Sequence, residues 1–164
     1  MSYFADYSDW QLREMVEIGY RLNLKEGEIL LAEGDRIANF YIVLSGRLNI
    51  FNSQVSRCIE SIGPGQYCGE VGLILNITRS FVTFQAGVET TLFVVPQQHA
   101  CHFLRSHTRL QEAVNQTLTS RQEKVLDLRE QLEAAGLLPP ESETGNFVVW
   151  LRRQFQRFLT REAA

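Results

Sequence analysis

The chain has 164 residues, 45% of them apolar, enough to bury one core of its own and carry one or two further helices but not a second full domain. A formal charge of −3 and a pI near 5.6 give no global attraction to nucleic acid. Three cysteines without CxxC spacing suggest neither a disulfide framework nor a zinc site, and they fit a reducing, cytoplasmic compartment.

The first residues carry no basic, apolar leader, and no apolar run along the chain is long enough to span a bilayer, so neither secretion nor membrane insertion is expected. Ser8 followed by Gln11 has the form of a capping box, and Trp10, Leu12, Met15, Val16 and Ile18 predict a short helix ending near Gly19. From Tyr20 to about Pro96 the pattern becomes short β-branched and aromatic runs punctuated by Gly27, Gly34, Gly46, Gly63, Gly65 and Gly87. Many short strands at such spacing predict a sandwich or barrel. The clearest strand is Phe40–Leu44, closed by Ser45-Gly46, and the alternating Arg47–Phe51 behind it predicts a hairpin. Asn52–Arg57 reads as a polar turn and Cys58–Ile62 as the return strand before the corner Gly63-Pro64-Gly65.

The run from Gly65 to Thr83 carries the chemistry. Glu70, flanked by glycines, is followed by a short apolar turn and then by a single base, Arg79, in an otherwise uncharged stretch. A carboxylate accepts from sugar hydroxyls and a guanidinium offers a fork of donors to phosphate, so the pair suits a small hydroxylated anion.

After Pro96 the period turns helical. One short helix is expected over about Gln97–His107 and a long one over Thr108–Ala135, stopped by Gly136 and Pro139-Pro140. Val114, Leu118, Arg121, Val125, Leu128 and Leu132 form a seam in steps of four and three, read here as a homodimer face, with packing on the chain's own barrel as the alternative. His99, His102 and His107 read as polar surface residues, since no carboxylate or cysteine partner is evident nearby. No catalytic grouping, P-loop or metal-ligand spacing occurs, so the chain is not expected to be an enzyme or to hold a metal. Residues 137–146 have linker composition. Beyond them Phe147, Val148, Trp150, Leu151, Phe155, Phe158 and Leu159 fall on one arc of a helix, and Arg152, Arg153, Arg157 and Arg161 on the other. This 147–161 helix is expected either to meet a protein partner or a membrane surface, or to fold back over the domain.

The Gly-Glu-x-x-Leu turn, the arginine nine residues after the acid, the following strand and the long helix resemble the cyclic nucleotide-binding domain family over roughly residues 10–135. Two blocks carry the resemblance: Glu33-Gly34-Asp35 with Phe40–Gly46, and Gly65–Leu73 through Arg79-Ser80. The resemblance implies a mainly β fold with flanking helices, namely a double-stranded β-helix (jelly-roll) barrel with a short leading helix and a long C-terminal helix, to which the residue pattern adds the amphipathic tail helix. The domain would cover residues 1–136, the linker 137–146 and the tail helix 147–164. Residues 70 onward would fold as a short helix in a phosphate-binding cassette. By the same resemblance Arg79 pairs with the cyclic phosphate of cAMP or cGMP and Glu70 accepts from the ribose 2′-hydroxyl. Gly69, Val71 and Ser80 supply backbone or hydroxyl contacts, and Ser120, Arg121 and Lys124 are candidates for a lid over the base. The chain departs from the family at Phe81, where most nucleotide-binding members have a small residue. Its ring can turn into the core or fill the space before Arg79. The first outcome fits a stand-alone nucleotide sensor acting on a partner or dimer face, the second a ligand-free scaffold for dimerisation or assembly. After Gly136 a linker and one helix remain, too little for a winged helix-turn-helix, so sequence-specific DNA binding is not expected.

Overall fold

The computed structural model describes residues 9–53, 55–120, 129–130, 132–133, 136–137 and 146–160. Helix α1 (Asp9–Ile18) leads into strands β1 (Tyr20–Leu24), β2 (Ile29–Leu31), β3 (Asn39–Ser45), β4 (Leu48–Asn52), β5 (Val55–Ile62) and β6 (Tyr67–Cys68). A single short turn of helix, α2 (Glu70–Ile74), precedes β7 (Thr83–Ala86) and β8 (Thr90–Pro96), and α3 (Gln97–Ser106), α4 (Thr108–Ser120) and α5 (Phe147–Thr160) follow. The strands form two antiparallel four-stranded sheets, ordered β1-β8-β3-β6 and β2-β7-β4-β5, which together make a mainly β jelly roll with flanking helices.

The burial pattern explains why the two sheets differ in sequence. In β3, Tyr41 and Val43 enter the core between the sheets, while Phe40 and Ile42 enter a second core on the opposite face, beneath the helices. In β8, Leu92 and Val94 take the first side and Phe93 and Val95 the second. Burial on both faces requires an unbroken apolar run, as these two strands show. β4 and β7 bury one face only, through Leu48, Ile50, Phe84 and Ala86, and so alternate with polar residues.

The expected hairpin of Phe40–Leu44 with Arg47–Phe51 is not formed: β3 pairs with β6 and β8, whereas β4 pairs with β5 and β7. The chain crosses from one sheet to the other at Gly46, whose φ is 88°. A Cβ there would lie 2.4 Å from the Glu89 carbonyl oxygen, so backbone would have to move. Gly46→Ala is expected to cost roughly 1–2 kcal/mol for the positive φ alone and more for the clash, read as a lower urea midpoint with an unchanged slope. The β4–β5 turn is also tighter than expected, because Asn52 already pairs with Val55.

The second core joins the helices to the sheet. Phe103 of α3 lies fully buried, its ring centroid 6.4 Å from those of both Phe40 and Phe93. His107, expected on the surface, is buried instead, stacked on Phe103 at 4.2 Å with its Nδ1 2.6 Å from the Phe103 carbonyl oxygen. His102 is exposed and 3.4 Å from Glu14 of α1, and the His99 ring lies 3.3 Å from the Gln98 amide.

Val114 and Leu132, two members of the expected dimer seam, are fully buried in this same intramolecular core. Residues 121–128, with Arg121, Val125 and Leu128, lie outside the described residues, as do Ser8 of the capping box and most of the 137–146 segment. The expected stop at Gly136 is present: its φ is 70°, the Leu137 amide donates to the Leu132 carbonyl at 2.9 Å and the Gly136 amide to Glu133 at 3.0 Å. These are the paired bonds of a Schellman ending.

The tail helix folds back. Asn146 caps α5 by accepting from the Val148 and Val149 amides at 3.0 and 3.3 Å. Phe147, Leu151, Phe155, Phe158 and Leu159 are buried in the helical core, and the Cys101 thiol donates to the Phe158 carbonyl at 2.9 Å. Of the two expectations for this helix, the structure has the fold back over the domain, with these apolar side chains buried within the chain. Among the described residues no helix is long and apolar enough to cross a membrane.

Candidate functional site

The site is built from the connector between β6 and β7 and from the segment it pairs with, residues 34–37. β6 adds Tyr67 and Cys68 to the edge of β3, opposite Ile42 and Tyr41. The chain then turns at Gly69, with φ 90°; a Cβ there would lie 2.8 Å from the Asn39 carbonyl oxygen, so glycine is the residue that lets the connector pass β3. Glu70 opens α2, and Gly72, Leu73 and Ile74 bury its inner side. The helix ends through Leu75 and Asn76, the latter in the left-handed region at φ 56°.

Past this turn the chain becomes extended and pairs with residues 35–37. The Ile37 amide donates to the Thr78 carbonyl at 2.9 Å and the Ser80 amide to the Asp35 carbonyl at 2.8 Å, bracketing an antiparallel bridge between Arg36 and Arg79. This is the bridge type in which facing residues do not exchange backbone bonds and their side chains lie closest. Both arginines are exposed, and neither has a carboxylate partner among the described residues. Like charges placed directly opposite on neighbouring strands repel, a repulsion that an anion between them would relieve. Arg79 also donates from Nη1 to the Gly34 carbonyl at 2.9 Å, which fixes one side of its fork and leaves its other N–H groups for a ligand.

The residues expected at the site are thus partly assembled. Glu70 and Arg79 stand at the start of α2 and just beyond its end, with no ion pair between them. Gly69 and Val71 flank the acid at the start of this helix. Ser80 is placed differently: it is buried, its hydroxyl donates to the Val82 carbonyl at 2.6 Å, and its backbone amide and carbonyl are both engaged. It holds the segment in place. Phe81 is half-buried and packs against both apolar cores, and it leaves Arg79 exposed. Of the lid candidates, Ser120 closes α4, while Arg121 and Lys124 lie outside the described residues. Arg36 was not among the residues expected from sequence. Its only signal was a base directly following Glu33-Gly34-Asp35, and nothing along the chain marks its pairing with Arg79.

Burial sets the protonation of the acid. It pushes the Glu70 carboxyl up from the ordinary 4.5 to about 7, with a hydrogen bond from its own backbone pulling the other way. Cys68, buried between the sheets and close to Glu70, is raised well above the ordinary thiol range, which keeps it a protonated, inert core residue. Because the folded value for Glu70 exceeds the unfolded one, the linked stabilisation is complete below the unfolded value and is lost as pH rises through about 7. Urea unfolding is therefore expected to show wild type losing on the order of 1–3 kcal/mol from about pH 5 to about pH 8 relative to Glu70→Gln. Superimposable pH profiles for the two proteins would contradict the raised value.

The profile of the cyclic nucleotide-binding domain matches residues 21–107, more than half of the chain. The cGMP-dependent protein kinase, isozyme 1, of Drosophila melanogaster is 29% identical over 70 residues, 43% of this chain and 9% of the kinase. The chain therefore spans about a tenth of that relative. Two solved structures share the fold: the catabolite activator protein of Thermus thermophilus, with a TM-score of 0.61 and 19% identity over 96% of this chain and 84% of that one, and cAMP-bound PfPKA-R, with a TM-score of 0.59 and 18% identity over 83% and 44%. The sequence match, the jelly roll and the α2 connector agree, and the chain belongs to the cyclic nucleotide-binding domain family.

Proposed function

We propose that this chain is a regulatory module, not an enzyme, that binds cAMP or cGMP at the α2 connector. The observation that carries the reading is the exposed Arg36–Arg79 pair, two arginines facing each other across a backbone bridge without a carboxylate partner among the described residues. In this reading Arg79 forms the charge-assisted bonds to the cyclic phosphate and Arg36 neutralises it from the facing strand. Glu70 accepts from the ribose 2′-hydroxyl, and the Gly69 and Val71 backbone adds polar contacts. PfPKA-R, which shares the fold, was solved with cAMP bound.

Ligand contact would be felt beyond the cup. α2 packs against α5, and α5 packs against α3 and α4, so a shift of the connector moves the helical layer. Binding must favour one helix arrangement over another for this to act as a relay to a partner. Cysteines held as thiols at 58, 68 and 101 suit a cytoplasmic setting for that signal.

One observation favours the ligand-free scaffold: the Ser80 hydroxyl, expected to face the phosphate, is committed to Val82. Isothermal titration with cAMP and with cGMP separates the two. Saturable binding of either supports the sensor, and absence of heat with both at millimolar nucleotide supports the scaffold.

A further inference from the structure

The tail arginines do more than keep a helix soluble. Trp150, Arg153, Gln154 and Arg157 follow one another at helical spacing on one side of α5, and they line a cleft of about 490 Å³ whose other wall is the turn after α2, with Asn76 and Thr78. The cleft is in the size range of a small-molecule site. Ile77, buried at 9% exposure, contributes to its apolar lining, and the Trp150 ring is braced against Phe147 at 5.7 Å.

Its charge is one-sided. Arg153 and Arg157 are exposed and one turn apart; among the described residues neither meets a carboxylate and none that lines the cleft is acidic. Neither Arg36 nor Arg79 lines the cleft, so the two pairs of arginines belong to different surfaces. They are separate cationic sites.

We propose that this cleft binds a small molecule bearing a phosphomonoester on a planar ring. Two guanidinium forks one turn apart match the charge and the several oxygens of a dianionic phosphate better than a single carboxylate. The indole gives a surface on which a planar ring stacks, and the Asn76, Thr78 and Gln154 side chains give hydrogen-bonding groups for its polar edge. The site stands independently of cyclic nucleotide binding at Arg79.

The test is a titration of adenosine 5′-monophosphate into the full chain carrying Trp10→Phe, so that Trp150 is the reporting indole. A saturable change in its fluorescence is expected, unaltered by adding Arg79→Ala. Adenosine and inorganic phosphate are each expected to bind about tenfold or more weakly, as is the monophosphate to Arg153→Gln with Arg157→Gln. Both positions are exposed, and an unchanged thermal melt checks that this variant is folded. Absence of a saturable change, equal binding of inorganic phosphate, full binding by the folded double variant, or loss of binding in Arg79→Ala overturns the proposal. The last outcome would assign the signal to the α2 connector, and none of the others bears on cyclic nucleotide binding there.

Discussion

Arg79→Ala is expected to weaken cyclic nucleotide binding tens-fold or more while leaving the protein folded. One charge-assisted hydrogen bond contributes about 1.5–3 kcal/mol, and Arg79 has several N–H groups beyond the one given to Gly34. Removing it would also leave Arg36, across the bridge, to meet the phosphate without its neighbour. Stability should fall by only about 1 kcal/mol, the net worth of the bond to Gly34. Arg79→Lys keeps the charge but not the planar fork, so it should recover only part of the lost affinity. Calorimetry on the three proteins reads this directly, and equal affinities in wild type and Arg79→Ala would remove the arginine from the site.

The second large effect is on stability. Phe155 is 1% exposed and sits in the core that joins α5 to α3, α4 and the outer face of β3 and β8. Phe155→Ala leaves a cavity in packing that can only partly relax, at a cost of about 3–5 kcal/mol. For a chain of this length the melting temperature should drop by roughly 10 °C. Differential scanning calorimetry is the check. A variant that melts with wild type would mean that α5 is undocked in solution, which would return its apolar face to a partner or a membrane surface.

These two residues differ in how far sequence alone could take them. The acid, the turn and the arginine of the α2 connector form one local run, so Glu70 and Arg79 were legible before any fold was known. The arc of Phe147, Leu151 and Phe155 was equally plain, but periodicity describes a helix face without naming what covers it. The docking of α5 depends on apolar surface offered by Phe103, Val114 and Leu132, which lie elsewhere along the chain. Arg36 was invisible for a related reason. Its importance comes from a backbone bridge to Arg79, and pairing across a long sequence separation leaves no local mark.

Strand order failed to follow from strand existence in the same way. β3 was readable as a β-branched and aromatic run and β4 from alternation, with the glycine between them, and adjacency suggested a hairpin. The left-handed Gly46 instead carries the chain from one sheet to the other, and only the three-dimensional register distinguishes the two outcomes. His107 shows the limit for polar residues. Its burial depends on stacking against Phe103 and on the nearby carbonyl, a local arrangement that residue type and surface statistics do not foretell.

A cyclic nucleotide is proposed to seat between Glu70 and the Arg36–Arg79 pair. Amide chemical shifts of the isotopically labelled chain, followed as cAMP or cGMP is added, test it most directly. Saturable shifts are expected, concentrated at Gly69–Val71 and at Arg36, Arg79 and Ser80, with smaller changes carried into α5. A spectrum unmoved by millimolar amounts of both nucleotides, or shifts that spare the α2 connector, would contradict it.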